Sequence, residues 1–474
     1  MDDTEIFADY GVFGVHQLAD DSLFIITQEL GLFKWQAGGL RRLPDDPDKP
    51  IDQLGVFGSV RLYDGDFALN TFGNGVVVIN ENGEIQHILD RNIGIRSNIV
   101  QHIYQDRDLN LWLALENGIS KVNYHSPMSY FDEKAGVEGN VQTVIRFKDQ
   151  IFVATSHGLY VQTNQRYSAR RFKNLEIVGD QVWDFLEVGD ELLVASANGI
   201  FKSKDGNTFQ QVNYVASNTL CLDSINNRIF SGGPKGITVY DKKLRVLWEH
   251  ANNYSTFLGS AIDPTDPSIV WLGTSRSGLI RLSWIEDAKY EVEEYGDFDG
   301  LLDNLGVPII YCDSIVFGAK DGLFYFVNED IMFEELKEQL TPEEREDPAF
   351  FKGIFEPYAL HDSLFTGQLL LLTEGKSRTW YCNESKIGFY DHQTDQFQNR
   401  PFWGINYGRI NEFYLEDDGV LWIGAAEGLI RYEKNALKRS ESQFYSLIRN
   451  VRIPRSDTLF NGVFVDSQGE LIMQ

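Results

Sequence analysis

One unit recurs along almost the whole chain, and it limits the possible architecture more than any other feature of the sequence. The unit is a β-patterned run, a short polar turn, a second apolar run, two or three small or polar residues, and a glycine that opens a third run. The intervals between successive marker glycines are 44, 43, 40, 41, 37, 42, 44, 66 and 40 residues. The marker glycines are Gly31, Gly75, Gly118, Gly158, Gly199, Gly236, Gly278, Gly322, Gly388 and Gly428. Such a period indicates a repeat architecture.

The composition of the unit indicates strands. Its runs are short, rich in β-branched and aromatic residues, and bounded by Asp, Asn, Gly and Ser, which is typical of strands joined by hairpin turns. The clearest copies are residues 99–119 and 410–429. The marker glycine suits a turn with positive φ or a close backbone approach. Three strands and a variable fourth per unit predict an all-β protein, a β-propeller of ten four-stranded blades.

Ten blades exceed the number that commonly closes into one ring, so the copies must divide. Residues 136–434 hold seven copies and are predicted to form a complete seven-bladed propeller. Residues 1–130 hold three copies and are predicted to be blades of a first, truncated propeller, with the polar stretch 124–139 as the boundary. Near residues 329–350 the apolar spacing and a Thr-Pro-Glu-Glu sequence predict an acidic helical insertion.

Charge and composition exclude several classes of function. Lys+Arg 42 against Asp+Glu 70 give a formal net charge of −28, which argues against nucleic-acid partners, because phosphate contacts need clustered basic residues. The three cysteines have no spacing typical of disulfide frameworks or zinc sites, and no cofactor motif occurs. The first residues lack a signal-peptide pattern. We expect no cofactor and no metal site.

The best copies resemble a known repeat. Two segments, residues 98–119 and 411–432, are similar to the two-component regulator propeller repeat. Each has Asn, Asp, Leu-Trp and a terminal Gly in the order of that repeat, and residues 269–279 are a third match. Residues 444–462 resemble the lead-in to the triple-tyrosine β-sandwich of that family. We therefore expect the start of such a domain at 440–474 and a chain cut at both ends.

The resemblance implies a function. In that family, the propellers and the sandwich form the extracytoplasmic sensor of a membrane-bound regulator, often one of glycans. It implies a periplasmic location outside the inner membrane, downstream sandwich, transmembrane and output domains as partners, and a small-molecule or oligosaccharide ligand. The resemblance also allows a homodimer and does not decide whether one forms.

Candidate ligand contacts come from two sets of rim positions in the predicted blades. Residues that open the innermost strand align as Gln101, Gln142, Trp183, Leu220 and Asn411, and residues just before the marker glycine include His157, Asn198 and Arg276. Aromatic, amide and guanidinium groups suit a sugar or another polar ligand. The predicted ligand-binding residues are Trp183, Gln142, His157, Asn198 and Arg276. In contrast, the tryptophans of the second strand, Trp112, Trp271 and Trp422, are expected to pack between blades.

Three classes of function stay open at this stage. The first is the ligand-sensing module. The second is a propeller enzyme similar to the streptogramin lyases, for which His157 is the histidine in the right slot. The third is a protein-interaction propeller. The residues at the rim positions do not include an acid and a base that would meet at one point. We therefore expect no catalytic residues and no catalytic activity in this chain.

Overall fold

The structure is a computed structural model. It describes residues 5–433 except 19, 164–170, 177, 180, 287–288, 302–303, 329–352, 359–368, 384–385 and 404, and it also describes 450–452 and 458–461. Over these residues the chain forms β-strands and short 3-10 helices, and no α-helix. None of the described elements is a helix that could cross a membrane. The 3-10 helices are Glu5–Phe7, Ile51–Gln53, Arg91–Ile93, Glu133–Ala135, Asp297–Asp299 and Arg400–Phe402.

The strands form ten antiparallel blade-like sheets, which confirms the predicted all-β propeller fold. The first three sheets, called the arc blades, follow one another in sequence, and their innermost strands are neighbours. Their strands are β1 Val12–Gln17, β2 Leu23–Thr27, β3 Leu32–Gln36 and β4 Gly39–Arg42; β5 Val56–Arg61, β6 Phe67–Thr71, β7 Val76–Ile79 and β8 Ile85–Leu89; β9 Val100–Gln105, β10 Leu111–Leu115 and β11 Gly118–Val122. The third arc blade has three strands among the described residues.

The other seven sheets, called ring blades 1–7, close around one axis. Each innermost strand contacts the next, and the last contacts the first. Ring blade 1 comprises β13 Val141–Phe147, β14 Gln150–Thr155, β15 Gly158–Gln162 and β16 Phe172–Asn174. Ring blade 2 comprises β17 Val182–Val188, β18 Glu191–Ser196, β19 Gly199–Ser203 and β20 Gln210–Asn213. Ring blade 3 comprises β21 Thr219–Asp223, β22 Arg228–Gly233, β23 Gly236–Asp241 and β24 Val246–Ala251. Ring blade 4 comprises β25 Phe257–Ile262, β26 Ile269–Thr274, β27 Leu279–Trp284 and β28 Tyr290–Tyr295. Ring blade 5 comprises β29 Val307–Tyr311, β30 Ser314–Ala319, β31 Gly322–Val327 and β32 Ile354–Pro357. Ring blade 6 comprises β33 Leu369–Glu374, β34 Arg378–Asn383, β35 Lys386–Asp391 and β36 Gln396–Gln398.

Ring blade 7 is built from both ends of the ring segment. Its three inner strands are β37 Ile410–Leu415, β38 Leu421–Ala425 and β39 Gly428–Tyr432, and its outermost strand is β12 Met128–Phe131. Antiparallel pairing joins Met128 to Tyr432 and Phe131 to Leu429. Strand β12 thus belongs to the ring, although it precedes residue 136, where the sequence analysis began the second domain. The strand that would follow the third arc blade instead closes the ring.

The marker glycines adopt the backbone that the repeat demands. At Gly199 φ is 123°, and an added Cβ would lie 2.0 Å from the carbonyl oxygen of Asn213 in the fourth strand. A side chain at this position would therefore force the third and fourth strands apart.

Tryptophans of the second strand pack between neighbouring ring blades. Trp422 is 1% exposed and its ring centroid lies 6.5 Å from that of Phe172 in ring blade 1, while Trp271 lies 4.8 Å from Phe317 of the next blade. Trp112 in the third arc blade differs: it is 40% exposed, and its Nε1 donates to Asp106 at 2.7 Å. The expectation that Trp112 packs between blades is wrong for the described chain, since the next strand in sequence, β12, has joined the ring.

Two expected features lie outside most of what the structure describes. The acidic helical insertion near 329–350 falls outside the described residues. Of the expected sandwich segment 440–474, the structure describes two short strands, β40 Asn450–Arg452 and β41 Thr458–Asn461, which pair antiparallel.

Candidate functional site

A β-bulge recurs at the start of the innermost strands. In β13, β17 and β37 the pairing with the second strand skips one residue, and the skipped residues are Gln142, Trp183 and Asn411. A bulge increases the local twist and re-aims the side chain of the extra residue. Gln101 in β9 is skipped in the same way, so four of the five aligned rim positions are bulge residues, three of them in the ring.

These bulges surround a cavity of about 610 Å³ on the ring axis. All seven ring blades contribute to its wall, and Gln142, Trp183, Leu220 and Asn411 are among the lining residues. Pockets of roughly 300–1,000 Å³ accommodate small molecules. The cavity can hold a ligand of the size of a small saccharide.

The wall mixes apolar and polar surface. Trp183, Leu258 and Pro308 supply apolar area, while Gln142 and Asn411 supply amide groups. The Asn411 amide already makes hydrogen bonds within the protein: its Nδ2 donates to Asn140 Oδ1 at 2.5 Å and to the Val141 carbonyl oxygen at 2.8 Å. The Asn411 side chain thereby links ring blades 7 and 1 at the cavity wall.

Asp184 follows the bulge residue Trp183 and lies in the cavity wall. Its Oδ2 accepts from the Leu220 backbone N–H at 2.7 Å and from Thr219 Oγ1 at 3.2 Å, and its Oδ1 accepts from the Phe185 N–H at 2.8 Å. Burial raises the pKa of Asp184 to about 6, and these three hydrogen bonds oppose the rise. Asp184 is therefore ionised at neutral pH and held in one orientation.

Glu412 follows the bulge residue Asn411 and also lines the cavity. Burial, assisted by the negative charge of Asp184, raises the pKa of Glu412 to about 8. The Phe413 backbone N–H opposes the rise. Two carboxyl groups from ring blades 2 and 7 thus share one cavity, with ring blade 1 between them.

Hydroxyl groups continue the polar wall beyond Asp184. Thr219 Oγ1 lies 2.8 Å from Ser260 Oγ, which joins ring blades 3 and 4. Next to them, burial first and then the charge of Asp184 raise the pKa of the Cys221 thiol to about 12. At neutral pH this thiol is uncharged.

The five predicted ligand-binding residues separate into two groups. Trp183 and Gln142 line the axial cavity. His157, Asn198 and Arg276 lie in the turns between second and third strands, exposed on the same end of the ring and outside the cavity wall.

The three outer residues interact with their own turns and the loops beside them. His157 Nδ1 lies 3.1 Å from Ser156 Oγ, the Asn198 carbonyl oxygen accepts from Gln211 at 2.6 Å, and the Arg276 N–H donates to Ser255 Oγ at 3.0 Å. They form a rim around the cavity mouth. The structure does not bring them together.

Sequence reasoning missed Asp184 and Glu412. The available signal was a carboxylate in an innermost strand directly after a residue already aligned as a rim position. In the other innermost strands with this bulge, the equivalent position includes Thr143 and Gly259. Only the closed ring shows that the two carboxyl groups face one cavity.

A second depression, of about 750 Å³, lies on the opposite end, between ring blades 6 and 7. Its charged residues are largely paired: Arg378 binds Asp391 at 3.3 Å, and Glu416 binds Arg146 and Trp422. It is a polar groove between hairpin turns. Within the described part of the chain, no group of three or more His, Cys, Asp or Glu could hold a metal ion.

Comparison with solved structures identifies the architecture. The extracellular domain of the hybrid two-component system BT3049 from B. thetaiotaomicron is similar over 96% of this chain and 61% of its own, with a TM-score of 0.65 and 15% identity. The extracellular domain of BT4673 from the same organism is similar over 92% of this chain and 60% of its own, with a TM-score of 0.50 and 15% identity. The chain has the fold of these extracellular domains.

That fold is the one that the repeat resemblance implied. The chain spans about three fifths of the length of the two solved structures. No protein-family model and no curated protein matches it.

Proposed function

We propose that this chain is the ligand-sensing extracytoplasmic propeller region of a membrane-bound two-component-type regulator. The proposal is supported by the shared fold with extracellular domains of hybrid two-component systems and by an open cavity on the ring axis. In this proposal the chain faces the periplasm. Downstream sandwich, transmembrane and output domains are its partners in the full-length protein.

The ligand we propose is a glycan or a glycan-derived saccharide bound in the axial cavity. The single observation that carries this proposal is the position of Trp183 on a bulge, in a cavity wall that also presents Gln142 and Asn411. An aromatic face covers the apolar face of a sugar ring, and amide groups bind its hydroxyl groups. A ligand bound on the axis would contact all seven blades, and the blades would transmit the effect of its binding.

Calorimetric titration of the chain against a panel of oligosaccharides tests this proposal. We expect Trp183→Ala to weaken binding by about tenfold or more, since an aromatic contact in a desolvated pocket contributes strongly. Trp403→Ala is the matched control, because Trp403 is 70% exposed and lies outside the cavity. Equal affinity of the parent chain and Trp183→Ala would remove Trp183 from the site.

We further propose that the chain binds its ligand without chemical turnover. His157, the residue that a lyase-like mechanism would use, is exposed on the rim and hydrogen-bonded to Ser156. We expect glycans and macrocyclic lactones to stay intact on incubation with the purified chain and Mg²⁺, as followed by mass spectrometry. Turnover that disappears in His157→Ala would instead assign the chain as a lyase.

A further inference from the structure

Two carboxyl groups from different blades lie in the wall of the axial cavity. Asp184 and Glu412 both line it, and each has a raised pKa because burial penalises its charged form. The cationic residue in the wall is Arg409, which precedes β37 and is exposed. The cavity wall therefore holds two carboxyl groups, and its arginine is exposed to solvent.

The two carboxyl groups differ in how they are held. Asp184 accepts three hydrogen bonds from Phe185, Leu220 and Thr219, which fix its orientation. Glu412 accepts a backbone hydrogen bond from Phe413, and its other neighbour in electrostatic terms is Asp184. The cavity wall thus carries a fixed carboxylate in ring blade 2 and a second carboxyl group in ring blade 7.

We propose that the axial cavity recognises a saccharide that carries a primary ammonium group, bound between Asp184 and Glu412. The inference rests on the proposed saccharide site and specifies its ligand class. A buried carboxylate is stabilised when an opposite charge comes close in a desolvated site, and an ammonium group has three donors for such acceptors. The bulge residue Trp183 beside Asp184 covers the sugar ring that carries the amine.

Ammonium binding is coupled to a proton. At pH 7 the Glu412 carboxyl is largely protonated, since its pKa lies near 8. An ammonium group brought to this carboxyl favours the ionised form, so the Glu412 proton leaves to solvent as the ligand enters. The other ionisable residues of the cavity wall are Asp184, already ionised, and Arg409. Cys221 lies behind the wall and stays neutral, with a pKa raised to about 12.

The first test compares two probes of equal length by calorimetry at pH 7. One is the fully deacetylated glucosamine trimer and the other is its N-acetylated counterpart, so each of the three amino groups of the first is an uncharged acetamide in the second. We expect the amine to bind at least tenfold more tightly. If the acetylated trimer binds as well or better, the ammonium inference fails while the saccharide site stands. If neither trimer nor any other saccharide binds, the proposed function fails as well.

The second test identifies the carboxyl group. Glu412→Gln should reduce the affinity for the amine trimer about tenfold and leave the affinity for the acetylated trimer within twofold. The control is Glu427→Gln, an exposed glutamate of the same blade outside the cavity wall, which should change neither. Equal amine affinity of Glu412→Gln and the parent chain would overturn the assignment.

The third readout is the proton itself. Titrations at pH 7 in buffers of different ionisation enthalpy report the number of protons released on binding. We expect the parent chain to release close to one proton more per amine trimer than Glu412→Gln does, because any proton taken up by the ligand's own amine is common to both proteins. Equal proton release by the two proteins would show that Glu412 is not the linked group, whatever the affinities.

Discussion

At the scale of single residues, Glu412 is the group whose protonation is most strongly coupled to the fold. Its side chain lies in the wall of the axial cavity, close enough to Asp184 for that charge to disfavour its ionisation. Unfolding would return the carboxyl to water and to its ordinary pKa of 4.5. The folded state therefore binds this proton more tightly than the unfolded state does.

The sign of the pH dependence follows from that difference. The contribution of Glu412 is fully present below pH 4.5 and is lost as the pH rises towards 8. We expect Glu412→Gln to remove this loss. The stability of the variant relative to the parent should therefore be higher at pH 9 than at pH 4, by up to about 5 kcal/mol. Urea denaturation at several pH values measures it. A constant difference between the two proteins over this range would contradict the assignment.

At the scale of elements, the second-strand tryptophan shows how blade packing depends on the next blade. Trp422 is covered by Phe131 of the closing strand and by Phe172 of ring blade 1. Trp112 occupies the same place in its repeat, and among the described residues no following arc blade covers it. Its face of the sheet also exposes Tyr104, directly opposite Trp112 in the pairing, at 59%.

The two tryptophans should therefore respond differently to truncation. Trp422→Ala should cost about 3–5 kcal/mol, as expected for a buried aromatic side chain. Trp112→Ala should cost about 1 kcal/mol, since a partly exposed side chain loses less transfer free energy. Denaturation midpoints followed by circular dichroism make the comparison. Equal losses would mean that Trp112 is covered in solution by chain or partner outside the described residues.

At the scale of the whole molecule, closure of the ring depends on a strand from its other end. Residues 128–131 form the outermost strand of ring blade 7 and pair with β39. Without them, β39 would present unpaired backbone groups at a sheet edge. Trp422 would also lose its contact with Phe131.

Two fragments of the chain test this closure. A fragment of residues 126–434 retains β12, and a fragment of residues 136–434 lacks it. We expect the shorter fragment to melt at least about 10 °C lower, in line with the loss of several kcal/mol of packing and pairing, and to associate on size-exclusion chromatography. Equal melting temperatures and monomeric elution of both fragments would show that β12 is dispensable for closure.

The local features of this chain were predictable because the repeat encodes them locally. The marker glycines set the turns, the short apolar runs set the strands, and the regular interval set the number of blades. Trp183 and Gln142 were found as cavity residues because the start of each innermost strand can be aligned without knowing the packing. His157, Asn198 and Arg276 were aligned equally well, but the repeat pattern does not determine how far each turn lies from the ring axis.

Tertiary structure alone decided the remaining points. The same strand, β12, could by sequence extend the third arc blade or close the ring. Pairing with β39 wins in the fold, because it satisfies the edge of a closed seven-bladed ring and covers Trp422. Likewise, Asp184 and Glu412 are 228 residues apart in sequence and meet only because the ring brings blades 2 and 7 to either side of blade 1. The raised pKa of Glu412 arises from that encounter, since burial and proximity of charge depend on the closed ring.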